Sequence, residues 1–264
     1  MSSPSDLEQR GLVARAIDTT VSEPFGTYVF ATDDPAAEIA RDLERHVFLD
    51  AFGNTSELLA QEYQPYEPAS FFVCVIDHRR KVCAAMMRVI VPINNGPGLK
   101  SLRDVKATWG EPAEELLASS GVLLDAARTW DLATLAVDRE YRSGAALGLM
   151  HIGLYQAVAR LARHFDVTWL VAILDYPVYR LIRLQLRRIF VAYGDERSYL
   201  GSVRSVPAYC PIREAEREAA AADSSLHELI YAGSAIKDAL RQVELEPAIE
   251  AVQALFDDAA ASTR

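Results

Sequence analysis

Cysteine is scarce in this chain. Three residues in 264, with no CxxC pair, exclude a zinc ribbon and a disulfide scaffold and fit a reducing compartment. Histidine offers no more: five residues without a paired ligand spacing give no basis for a metal site. No apolar run approaches the roughly 20 residues a membrane helix needs. The N-terminal stretch "MSSPSDLEQRGLVARAID" lacks the apolar core of a secretion signal. A cytoplasmic protein is therefore expected. Positive charge is short as well: the net charge of −10 argues against a nucleic-acid partner. Neither G-x-G-x-x-G nor a P-loop is present.

What remains is long enough to bury a sizeable core, as one large domain with or without an appendage. The charge is unevenly spread. Residues 139–204 hold ten arginines against five acids, a local excess of +5 that leaves −15 on the rest. Such a segment is either a set of solvated helix faces or a local receptor for a phosphate-bearing or acidic partner.

The local patterns predict a loose arm over 1–24, with room for one short helix, and a strand at "GTYVFAT" (26–32). A helix is expected from Pro35 to about Ala51, with Ile39, Leu43, Val47 and Phe48 on one face. "ASFFVCVID" and "KVCAAMMRVIVP" flank "HRR" as a hairpin. A two-residue loop at His78 and Arg79 would pair Ile76 with Lys81 and set Cys74 opposite Cys83, as reduced, buried thiols. "INNGPG" reads as a loop, and a helix lies within 111–127. "TWDLATLAV" (129–137) reads as the central strand, followed by a long helix at 145–165 and a strand at 167–174. A helix then runs from Pro177 to Arg188, and strands at 189–194 and 199–212 close the sheet. Residues 213–264 turn Ala- and Glu-rich with helical spacing throughout. The expected fold class is α+β: a mixed sheet with a parallel middle, flanked by helices, with a helical C-terminal extension. The units are an arm (1–24), a catalytic-sized domain (25–212) and the extension (213–264).

The stretch "LAVDREYRSGAALGLM" (135–150) carries the chemistry. A helix start presents unpaired N–H groups and positive dipole. The small residues Ser143, Gly144 and Ala145 let those amides approach an anion, and Arg139 and Arg142 add charge-assisted contacts to phosphate. An ordinary strand-to-helix turn with solvated arginines has the same composition.

The order of elements and the run "LAVDREYRSGAAL" resemble the GNAT acyltransferase fold, in which V-x-x-x-x-R-x-x-G-x-G/A opens the helix holding the pyrophosphate of an acyl donor. Val137 and Arg142 match that spacing, and Ala145 takes the first glycine place. Leu147 departs from the second, Asp175 stands where the family has an Asn, and Ile182 where it has a Tyr. "RHVFLDAFG", "MMRVIVP", "WDLATLAV" and "AYGDERSYLGSVRSVP" look like the branch of autoinducer synthases and long-chain N-acyl amino acid synthases. Arg88 and Pro92 match its R-x-x-x-P strand end. Thr134 replaces the Arg that autoinducer synthases tie to their amino donor, which argues against acyl-homoserine lactone synthesis.

The resemblance implies direct attack of a small-molecule amine on an acyl thioester, with acyl-CoA or acyl carrier protein as co-substrate and no metal. Asp131 is the leading base and Glu67 the reserve. Tyr176 or Tyr179 would protonate the departing thiolate, and a backbone N–H near Ala136 or Val137 would hold the oxyanion. Arg88 and Thr134 would line the substrate pocket. Arg180, Arg183 and Arg187, at helical spacing, would dock an acidic carrier protein. The extension would enclose the acyl chain or mediate a homodimer. Two other readings compete: a catalytically silent binding module of this fold, and a small-group acetyltransferase using acetyl-CoA.

Overall fold

The computed structural model describes residues 4–18, 20–185, 189–233, 236 and 238–261. The chain begins with α1 (Pro4–Ala16), β1 (Phe25–Ala31), α2 (Ala37–Phe52) and α3 (Ser56–Tyr63). A long hairpin follows, β2 (Ser70–Asp77) and β3 (Val82–Ile90), then α4 (Lys100–Trp109) and α5 (Ala113–Ser119). The middle is β4 (Thr129–Val137), α6 (Gly144–His164), β5 (Trp169–Asp175) and α7 (Tyr176–Gln185). Next come β6 (Val191–Ala192), β7 (Arg197–Tyr199) and β8 (Ser202–Pro211). The tail holds α8 (Ile212–Ala222), α9 (Ser224–His227), β9 (Leu240–Arg241) and α10 (Leu245–Ala261).

The sheet order is β6-β8-β5-β4-β3-β2-β1-β9, with β7 added beside β8. Among the described residues only β4–β5 and β1–β9 run parallel. Strand alternation divides the core in two. Phe71, Val73 and Val75 of β2 face α6 and the tail helices, while Phe72, Cys74 and Ile76 face α1 and α2.

The tail differs from its all-helical expectation, because Leu240 and Arg241 pair with Phe25 and Gly26 at the sheet edge. Two residues carry too little pattern to read as a strand. The arm is a helix that buries Val13 and Ile17 against the α2 layer.

The hairpin is also corrected. Its loop spans four residues, 78–81, because the Asp77 carboxylate accepts from the Arg80 N–H (2.9 Å) and Lys81 takes a left-handed φ of 57°. Ile76 thus faces Cys83, and Cys74 faces Met86. All three cysteines are free and buried. Burial and contact with Cys83 push the Cys74 thiol well above its usual range. Helix α4 went unread, although Leu102, Val105 and Trp109 have helical spacing.

Two irregularities of β4 position the site. Its parallel pairing with β5 ends at Asp131–Val171, yet β4 runs on to Val137 and β5 to Asp175. The two strands therefore splay. On the other edge, the β3 register jumps from Val89–Leu132 to Arg88–Thr134, leaving Ala133 as a bulge. One extra residue reverses which face each side chain meets. Trp130 and Leu132 face α6, as does Val137 beyond the bulge, whereas Ala136 joins the α2 layer.

Candidate active site

The splay opens a cavity of about 90 Å³, open to solvent and reaching both faces of the sheet. Leu132–Leu135 of β4 and Ile173–Asp175 of β5 form its sides. Phe48, Phe52 and Tyr63 close it on the α2 face, Tyr155 of α6 and Val178 of α7 on the other. Its lining is largely apolar, with hydroxyls from Thr134, Tyr63, Tyr155, Tyr199, Ser202 and Ser205. Among the described residues Asp175 is its sole lining acid. The Asp175 Oδ1 accepts from the Ser202 hydroxyl at 2.5 Å.

The turn between β7 and β8 borders the cavity. Asn54, just past α2, donates its side-chain amide to the Leu200 carbonyl at 2.9 Å. Gly201 takes a φ of 82°, and a Cβ there would lie 2.7 Å from the Phe52 carbonyl oxygen. Only glycine permits both the left-handed backbone and that approach.

Behind Thr134 lies a buried ionic chain. Arg88 of β3 donates Nε to Glu44 Oε1 (3.1 Å) and Nη2 to Glu44 Oε2 (2.7 Å). Thr134 adds its hydroxyl to Glu44 Oε1 at 2.5 Å. From the other end, Arg88 Nη1 reaches Glu67 Oε1 (2.6 Å), whose Oε2 takes Arg41 Nη2 (2.8 Å). The Arg88 guanidinium also sits over the Phe72 and Tyr63 rings, at 4.5 and 4.8 Å. Burial alone would lower the Arg88 pKa; Glu44 and Glu67 raise it instead. Burial would raise the Glu67 carboxyl, yet Arg88 and Arg41 hold it below its usual range.

The expected site residues divide accordingly. Thr134 lines the cavity. Arg88 is 2% exposed and stands behind it, committed to the ionic chain. Glu67 is half-buried and held by two guanidiniums, away from the cavity lining. Asp131 is fully buried and also outside that lining. Its two oxygens accept from Ser101, Oδ2 from the N–H (2.6 Å) and Oδ1 from the hydroxyl (2.7 Å). It thereby satisfies unpaired groups in the first turn of α4. Burial raises its pKa to about 6, against those hydrogen bonds.

The backbone donors divide too. The Asp138 N–H bonds the Ala84 carbonyl at 2.9 Å, and Ala136 pairs with Met86. Ladder alternation turns the Ala136 N–H toward β3, and those of Leu135 and Val137 toward the splay.

At the strand end, Arg139–Tyr141 form a 3-10 turn in which Arg139 is exposed. Arg142 donates Nε to the Val137 carbonyl at 2.8 Å. Ser143 is the extended N-cap of α6, with no side-chain cap bond, and Gly144 has a φ of 65°. Ala145 lies in the first turn of α6.

Tyr176 and Tyr179 open α7, just past Asp175, but neither lines the cavity. Tyr176 is half-buried with Arg204 over its ring at 4.2 Å, and Tyr179 is buried. Arg180 and Arg183 are exposed on α7, and Arg187 lies outside the described residues. Among the described residues no cluster of three or more metal-ligating side chains occurs. Within the same limits, no helix is long and apolar enough to cross a membrane.

A mixed sheet whose parallel middle pair splays around a bulge, with a long helix starting at the strand end, defines the GNAT-type α+β fold. It takes the form found in autoinducer and N-acyl amino acid synthases. The chain is similar to FeeM, an N-acyl amino acid synthase from uncultured soil microbes. The two share 14% identity over 72% of this chain and 93% of that one, with a TM-score of 0.52. It is also similar to BjaI, a CoA-dependent acyl-homoserine lactone synthase solved with SAM and isopentyl-CoA. There the identity is 15% over 87% of this chain and 97% of that one, with a TM-score of 0.51. No protein-family model matches the sequence, and no curated protein matches it.

Proposed function

We propose that this protein is an N-acyltransferase that moves a medium or long acyl chain from a thioester to the amine of an amino acid or similar small molecule. The observation that carries the reading is the apolar cavity threaded through the β4–β5 splay, walled by Leu132–Leu135 of the strand whose end leads into the 21-residue helix α6. An apolar slot suits an acyl chain, and a helix start with Arg139 and Arg142 suits the phosphates of coenzyme A or a carrier's pantetheine arm. FeeM makes N-acyl amino acids and BjaI uses CoA thioesters, so both reactant classes occur on this fold.

In the proposed reaction the amine nitrogen forms a bond to the thioester carbon and the C–S bond breaks, giving an amide and a thiol. The oxyanion accepts from the Leu135 or Val137 N–H, a preorganised donor of the type worth about 3 kcal/mol. Asp175 takes the proton from the ammonium, directly or through water, because it is the acid that faces the cavity. That role replaces Asp131 and Glu67, which face Ser101 and two arginines instead. The thiolate takes its proton from solvent or from Tyr176 beside Asp175. Arg180 and Arg183 give an acidic carrier protein a cationic approach.

The test is thiol release from a panel of acyl-CoA and acyl-carrier-protein thioesters, two to sixteen carbons long, with mixed amino acids. Release that needs both a long chain and an amine supports the reading. Binding with no amine-dependent release for any member overturns it in favour of a silent module. Release restricted to acetyl-CoA overturns the chain-length part.

A further inference from the structure

The turn at the end of β4 is fastened to the β2–β3 hairpin by one buried carboxylate. Asp77, 7% exposed at the end of β2, gives one oxygen to each of two loops. Its Oδ1 accepts from the Arg80 N–H (2.9 Å) and shapes the hairpin loop. Its Oδ2 accepts from the Tyr141 hydroxyl at 2.8 Å, across 64 residues of chain. That hydroxyl accepts in turn from Arg80 Nη1 (3.1 Å), and the Arg80 guanidinium lies over the Tyr141 ring at 5.5 Å. Phe25 meets the same ring edge-on at 6.1 Å. The Asp138 N–H adds a backbone bond to Ala84 of β3 at 2.9 Å.

The residues just past this anchor are arranged differently. Ser143 and Gly144 are exposed, and Ser143 makes no cap bond. A Cβ on Gly144 would meet nothing within 4 Å, so the space over the helix start is open. Asp138–Tyr141 is thus held firmly on the hairpin side and leaves the anion side free. Charge follows the same division. Glu140 stands between Arg139 and Arg142, where a lone carboxylate would repel phosphate, and Arg80 pairs with it. A phenylalanine at 141 would pack on Phe25 as well as a tyrosine does. The hydroxyl serves Asp77 and Arg80.

We propose that Asp77 and Tyr141 are positioning residues for the acyl donor: their hydrogen bond holds the Arg139–Arg142 turn, before any ligand arrives, in the shape that receives the donor's pyrophosphate. This rests on the acyltransferase reading and makes the β2–β3 hairpin the support of its phosphate end. A turn already ordered binds more tightly than one that must order on binding. Neither residue lines the splay cavity, so the acyl chain does not depend on them directly.

The experiment is equilibrium binding, without amine, of dodecanoyl-CoA and of dodecanoyl-pantetheine, which lacks the pyrophosphate. The proteins are the wild type, Tyr141→Phe, Asp77→Asn and the double variant. The wild type is expected to prefer the CoA thioester. In Tyr141→Phe the affinity for dodecanoyl-CoA is expected to fall by about tenfold, the cost of ordering roughly one more residue on binding, while that for dodecanoyl-pantetheine changes by less than about twofold. Asp77→Asn should lower the same ratio, and the double variant should lower it no further than the larger single loss, because both changes cut one bond. General loosening of the fold weakens both thioesters alike and leaves the ratio unmoved. An unchanged ratio in Tyr141→Phe, or single losses that add in the double variant, overturns the assignment while leaving the acyltransferase reading intact. Equal affinity of the wild type for the two thioesters does the same, since the pyrophosphate then has no receptor. Failure of the wild type to bind either thioester overturns both.

Discussion

Arg88 and Glu44 meet across the α2 face of the sheet as a two-bond pair, Nε to Oε1 and Nη2 to Oε2, with both side chains 3% exposed. The same carboxylate takes the Thr134 hydroxyl, so β3, α2 and the bulged part of β4 share one anion. Glu44→Ala leaves Arg88 buried with Glu67 as its remaining carboxylate, and a loss of about 3–5 kcal/mol is expected. Glu44→Gln with Arg88→Met removes both charges and recovers a large part of that loss. Urea unfolding of Glu44→Gln, of Arg88→Met and of the double variant gives the coupling. Strictly additive losses would refute the pair.

Asp131 titrates in a useful window. Its folded pKa, raised mainly by burial to about 6, exceeds the model-peptide carboxylate value. The native state therefore binds a proton that the unfolded chain has already released. The stability from this group is fully present below about pH 4 and is lost as pH rises through about 6. Asp131→Asn keeps a partner for Ser101 and cannot titrate. The variant should gain on wild type between pH 4 and 7, by on the order of 1–3 kcal/mol. Parallel denaturation at both pH values measures it, and a pH-independent difference would sink the assignment.

Asp175→Asn separates base catalysis from binding. Loss of a positioned base lowers turnover by about 10²–10⁴-fold. Thioester affinity, measured without amine, should change far less than kcat. Raising the pH, which deprotonates the amine in solution, should restore part of the rate. An unchanged kcat would remove Asp175 from the reaction.

Arg142 tests the phosphate end. Its Nε already holds the Val137 carbonyl, so Arg142→Ala affects both the turn and any anion bound there. Comparing acyl-CoA with an acyl-pantetheine lacking the pyrophosphate divides the two effects. Affinity for acyl-CoA should fall by about tenfold or more, and for the pantetheine thioester by much less. Equal losses would assign Arg142 to the turn alone.

The central strand and the helix after it were legible because long apolar segments, broken by charged and small residues, leave few alternatives. Thr129–Val137 is the strand the pattern predicts, and the helix begins at Gly144, one residue before its expected start. The hairpin register was not legible, because it turns on whether the Asp77 side chain caps the turn. The partner of Asp131 is hidden for a related reason. A carboxylate in an apolar strand reads as chemistry until the element packed over it is known, and that element, α4, went unread. In the sequence Asp175 stands out only as a departure from a motif, since nothing local tells which strand-end acid will face a cavity formed by distant segments. Arg88 and Thr134 were expected at the substrate. The carboxylate joining them comes from a helix 44 residues upstream of Arg88.

Ala133 makes β4 two half-strands written in opposite phase. A substitution scan along the strand should show the positions that pack on α6 switching there from even (Trp130, Leu132) to odd (Leu135, Val137), while Ala136 answers to the α2 layer. Deleting Ala133 should leave Thr134 on Glu44, because Leu132 and Thr134 would then follow Val89 and Arg88 in unbroken alternation, whereas adding a second residue there would send Thr134 toward α6. The face that each residue of this strand presents is thus set by a count of residues as much as by their identities.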